Sequence, residues 1–164
     1  MREATLRDFL LGLAPVERLA LELGAATEQT GPSTRTIHIE DLEAGQEFEI
    51  TAPMLVRLCD AVLRGELPGA FLEPIGFAVI ASDYLCWGEG DDLVGRVLYA
   101  WASPEANWEL SRANVQMFRG WLTGTIEPPP EARFDPNAAP GRLVSTTRKA
   151  WLPPQRDSHP EDEA

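Results

Sequence analysis

Between Asp83 and Trp108 the side chains capable of chemistry crowd together: Asp83, Glu89, Asp91, Asp92 and Glu105 alternate with Tyr84, Trp87, Tyr99, Trp101 and Trp108. Carboxylates among aromatic rings serve two chemistries. Two carboxyls facing each other across a cleft perform acid–base work, as in sugar-binding sites. Large rings instead anchor protein interfaces, while charges at the rim supply register and fast association. Crowding along a chain fixes no separation across a cleft, so the second chemistry is the one favoured. Trp101 and Trp121 stand at helical spacing among apolar residues and are expected in the core, whereas Tyr84, Trp87 and Trp108 adjoin polar loop residues. The candidate partner-binding residues are therefore Asp83, Tyr84, Trp87, Glu89, Asp91, Asp92 and Trp108. An enzyme using carboxylates in a cleft near Asp83 and Tyr84 is the alternative within the same stretch. A second acidic cluster, Glu40, Asp41, Glu43, Glu47 and Glu49, reads as a negative edge that protects an exposed strand from pairing.

Other reaction centres lack parts. A Ser–His–Asp or Cys–His system would have to use His38, because His159 lies in the terminal tail, and no nucleophile elbow surrounds a serine. His38 is expected on a half-exposed strand, and Cys59 and Cys86, both in apolar runs, are expected to be buried thiols. Zinc would need several Cys or His ligands at short spacing, and the chain has neither CxxC nor HxxxH. Gly88-Glu89-Gly90-Asp91-Asp92 lacks the alternating ligands of a calcium loop and reads as a solvated turn capping a helix. No glycine-rich loop precedes Lys-Ser or Lys-Thr. No catalytic residue, metal or cofactor is assigned.

Charge narrows the choice of partner. Up to Gly124 there are 19 Asp/Glu against 9 Arg, net −10, and from Thr125 to Ala164 there are 7 acids against 5 bases, net −2. An acidic surface steers cations in and turns anions away, which points to a basic protein partner and against nucleic acid and anionic membrane. The thirteen arginines are scattered and form no basic patch. The apolar run Phe9–Leu11 is too short for a signal or a membrane span, and two cysteines in apolar runs do not suggest an oxidising compartment, so a cytoplasmic location is expected.

These residues need elements to hold them. Leu6, Phe9, Leu10 and Leu13 repeat at helical spacing, and Val16, Leu19, Ala20 and Leu23 do so after Pro15, with Gly24 as the expected stop. Thr36–Ile39 and Glu47–Thr51 alternate around Glu43-Ala44-Gly45-Gln46 and read as a short hairpin. A helix capped by Thr51 runs to Gly65; Pro68 or Pro74 opens another, in which Ile75–Ala81 is apolar nearly all round and belongs at the centre of the domain. Asp91 or Asp92 caps a helix bearing Val94, Val97, Leu98 and Trp101, and Ser111 caps the last, closed at Gly124. Eight of the fourteen prolines follow Glu127. The expected fold is mainly α: a bundle of five to six helices over residues 1–124 with one small β-hairpin, then a proline-rich, largely irregular tail over 125–164.

The run Leu55-Val56-Arg57-Leu58-Cys59-Asp60-Ala61-Val62-Leu63-Arg64-Gly65-Glu66-Leu67 resembles the opening helix of small, acidic, helical immunity proteins of bacterial toxin systems. The Trp101–Asn107 turn and the Asn114–Leu122 helix are similar to parts of uncharacterised bacterial proteins of the same build. This resemblance spans Thr51 to Gly124 and implies a non-enzymatic inhibitor that covers a basic toxin domain. A structural or accessory protein, kept soluble by its acid, is the other non-enzymatic reading.

Overall fold

The computed structural model describes residues 1–29, 35–43, 47–88, 91–104, 106 and 108–129. Among the described residues six helices carry the fold: α1 (Glu3–Leu10), α2 (Val16–Ala26), α3 (Ala52–Arg64), α4 (Leu72–Ala81), α5 (Asp92–Ala102) and α6 (Arg112–Leu122). Four very short strands lie between them: β1 (Thr27–Gln29), β2 (Arg35–Ile37), β3 (Phe48–Glu49) and β4 (Leu85–Cys86). The mainly helical expectation holds. Residues 1–129 form one compact unit; the expected tail lies outside the described residues from Pro130 onward.

Each helix follows from its apolar stripe. In α3, Leu55, Leu58, Cys59 and Val62 fall on one face and are buried, and Gly65 stops the helix in the left-handed conformation with φ 78°. Asp91 caps α5 by accepting from Val94 N–H, and Ser111 caps α6 by accepting from Asn114 N–H. Trp101 and Phe118 are fully buried where α5 meets α6, and their rings meet edge to face at 6.4 Å. Helices α4 and α5 approach so closely that a Cβ on Gly76 would lie 2.8 Å from the Leu98 carbonyl oxygen and 2.9 Å from Ala102 N. Only hydrogen fits there.

Three expectations are corrected. Gly24 does not end α2, which continues to Ala26 and passes directly into β1, where the Thr27 hydroxyl donates to the Leu23 carbonyl at 2.9 Å. The two predicted strand segments do not pair with each other. β2 pairs antiparallel with β1 (Thr27 opposite Ile37), and β3 pairs in parallel with β4 (Phe48 with Leu85, Glu49 with Cys86). The expected turn at 43–46 lies, apart from Glu43, outside the described residues. Lastly, α4 is not enclosed throughout: Ile75, Ala78 and Val79 are buried, but Phe77 is 48% exposed.

At the start of the chain, Met1 to Glu3 run beside His38 to Glu40: Glu40 N–H donates to Met1 O and Glu3 N–H to Glu40 O. The fully buried Glu3 accepts from Leu42 N–H at 2.8 Å through one carboxylate oxygen and ties that segment to α1. Its other oxygen has no partner among the described residues.

Candidate functional site

The β3–β4 pairing is what assembles the acidic face. Phe48 N–H donates to the Tyr84 carbonyl at 2.8 Å and Ile50 N–H to the Cys86 carbonyl at 2.7 Å. Ser82 turns the chain into β4, its hydroxyl accepting from Tyr84 N–H and Leu85 N–H. Glu47 and Glu49, assigned by sequence to a separate negative edge, are thereby placed beside the Asp83–Trp87 segment. A Cβ on Gly88 would lie 3.2 Å from a Glu49 carboxylate oxygen. The two acidic clusters of the sequence are neighbours here.

The seven candidate residues divide. Asp83 and Asp92 are exposed, Asp91 is half-buried as the cap of α5, and Tyr84 is half-buried above β4. Glu89 lies outside the described residues. Trp87 is half-buried and meets Tyr99 of α5 at 90° with ring centroids 6.3 Å apart. Trp108 belongs to a different ring pair, with Trp121 of α6 at 6.0 Å, and is 39% exposed. Through Trp121 it joins Phe118 and then Trp101, so it caps the aromatic core. The structure thus places Trp87 and Trp108 in separate ring pairs.

Tyr99, at 52% exposure, is the residue of this face that the candidate set omits. Its signal was in the helix: Val94, Val97, Leu98 and Trp101 define the buried stripe of α5, and Tyr99 is one step of about 100° from Leu98, off that stripe. Glu47 and Glu49 carried no such signal. A two-residue parallel pairing across 37 positions of chain leaves no periodicity to read.

Several arginines are paired inside the domain. Arg2 pairs with Glu22, Arg7 with Asp8, Arg64 with Glu66, and Arg119 with Asp60 at 2.6 Å. Glu40, Asp41, Glu43, Glu47, Glu49, Asp83 and Asp92 all remain exposed. Exposed acid thus lies on β3 and beside β4, and also at Glu17, Glu109 and Glu127 elsewhere in the domain.

Two surface grooves lie elsewhere. A shallow groove of about 390 Å³ is lined by Arg2, Glu22, Ala26, His38 and Glu40 among others, and one of about 220 Å³ by Thr27, Ile37, Phe71 and Glu73. Neither is lined by Asp83 or Tyr84, the pair on which the cleft-enzyme alternative rested. In the first groove, burial works against ionisation of Glu22, but hydrogen bonds from the Arg2 guanidinium, Arg2 N–H and the Thr5 hydroxyl outweigh it and bring its pKa down to about 2. His38 is exposed beside it.

Of the two cysteines, Cys59 is buried as expected and Cys86 is not. Cys59 is buried, and desolvation, reinforced by Asp60, pushes its thiol up to about 12. Cys86 is exposed, because alternation along β4 turns Leu85 inward and Cys86 outward. Among the described residues no group of three or more His, Cys, Asp or Glu side chains could hold a metal ion, and no helix is long and apolar enough to cross a membrane. Comparison with protein-family models, with curated proteins and with solved structures finds no match to this chain.

Proposed function

We propose that the protein is a non-enzymatic binding protein that neutralises or regulates a basic protein partner, as an immunity protein does, by covering it with the face built by β3, β4 and the first half of α5. The carrying observation is that β3–β4 pairing sets Glu47 and Glu49 beside the segment bearing Asp83 and Trp87, next to the half-exposed ring of Tyr99. Exposed rings among fixed charges suit a contact in which aromatic area supplies affinity and the charges supply register. Inhibition by occlusion follows without any bond being made.

The test is affinity capture from the native cell with the tagged protein and with an Asp83→Lys/Asp92→Lys variant side by side. The expected result is a basic protein retained by the wild type, lost from the variant, and inactive while bound. Partners of acidic or neutral character, or a basic partner held equally by the charge-reversed variant, would count against this assignment.

A further inference from the structure

Trp87 and Tyr99 form an edge-to-face ring pair that stands partly in solvent among acidic residues. Their rings are perpendicular, and Tyr99 keeps half of its surface in solvent. The indole is seated on α5 because position 95 is glycine: a Cβ there would lie 2.8 Å from Nε1 of Trp87 and 3.2 Å from Cε2. Gly95 is one turn after Asp92 and one turn before Tyr99, so Asp92, the indole and Tyr99 form a stripe along the helix. In an edge-to-face pair one ring stands on the face of the other, and the angle between the standing ring and the uncovered part of that face is walled by π surface. Each face is electron-rich at its centre, so the angle attracts a cation.

Carboxylates flank this angle. Asp92 is exposed on the stripe, and Glu49 reaches Gly88, the residue after Trp87. Arg96, the cation of α5 nearest the stripe, donates through Nη2 to the Pro129 carbonyl at 2.6 Å, which directs its guanidinium to that oxygen.

We propose that Trp87 and Tyr99 form a receptor corner for an arginine side chain of the basic partner, with Glu49 and Asp92 supplying the facing charge. This rests on the partner being basic, and it gives Trp87 the part of a wall that receives a side chain. Arginine is specified over lysine because a planar, weakly hydrated guanidinium stacks on rings, whereas an ammonium holds its water.

Three peptides test it: acetyl-(Gly-Arg)₃-amide, its lysine counterpart, and its citrulline counterpart, which keeps the shape of arginine without the charge. Each is titrated into the full chain at low ionic strength, with NMR following the Trp87 indole N–H. The arginine peptide is expected to shift that signal, the citrulline peptide to leave it in place, and the lysine peptide to bind several-fold more weakly. Tyr99→Ala should weaken the arginine peptide by about threefold to fivefold, and Tyr99→Phe, which keeps the π face, should not. Tyr99 is exposed enough for both variants to fold, which their melting curves would verify. Salt-dependent binding of the arginine peptide with Trp87 silent and Tyr99→Ala without effect overturns the corner and leaves the basic-partner reading standing. Failure of both cationic peptides to bind overturns the corner and weakens that reading as well.

Discussion

Glu22 is a carboxylate whose ionisation is coupled to folding. Its pKa falls from an ordinary 4.5 to about 2 because the folded chain supplies Arg2 and Thr5 as donors. A depressed folded pKa means that the ionised form is favoured by folding, so the stabilisation is fully present above about pH 4.5 and is lost as pH falls toward 2. Arg2 is half exposed, so solvent reduces the contribution to about 1 kcal/mol. Glu22→Gln should therefore unfold at lower denaturant concentration than wild type at pH 7, and the gap should close as the pH approaches 2. A gap that stays constant across that window would show that Glu22 acts by shape alone. The cysteines give a second test at this scale: iodoacetamide should label Cys86 in the native protein and Cys59 only after unfolding. Sequence placed both thiols in apolar runs, and only the two-residue alternation of β4 separates them.

Helices were legible because each repeats an apolar stripe over two or more turns; the strands were not, because none exceeds three residues. Strand partners in this fold are chosen by what the helices bring together. The glycines show the same division between local and tertiary control. Gly24 looked like a helix stop and is instead an interior residue of α2 whose Cβ would meet only Phe71 Cζ, at 4.0 Å. Gly24→Ala should raise stability by about 0.5–1 kcal/mol, the helix propensity difference. Gly76 in α4 faces backbone atoms of α5 at under 3 Å, so Gly76→Ala must push two helices apart and should cost about 1–3 kcal/mol. Denaturant titration of both variants checks the opposite signs. If Gly76→Ala also stabilised, the close α4–α5 approach would be wrong, and with it the floor on which Tyr99 is presented.

At the scale of the molecule, the sequence carried the charge and the compositional class, while folding decided where the charge collects. Acids separated by more than thirty positions, Glu47 and Glu49 from Asp83, become neighbours through one short parallel pairing, whereas several arginines, Arg2, Arg64 and Arg119 among them, are drawn into ion pairs within the domain. A net −10 body with exposed acid on the β3–β4 face should steer a basic partner from beyond contact distance. Such steering is screened over a Debye length of about 10 Å at 0.1 M salt and about 3 Å at 1 M. Raising salt through that range should slow association by about tenfold or more, with a much smaller change in dissociation, because contacts already made exclude the ions. Stopped-flow measurement with the captured partner separates the two rates. The position of the charge is tested by neutralising it in pairs. Glu47→Gln/Glu49→Gln should flatten the salt dependence of association, whereas Glu17→Gln/Glu109→Gln, an equal charge change on α2 and ahead of α6, should flatten it less. Equal flattening by both pairs would mean that the partner senses only the total charge, and the β3–β4 face would lose its claim to be where it lands.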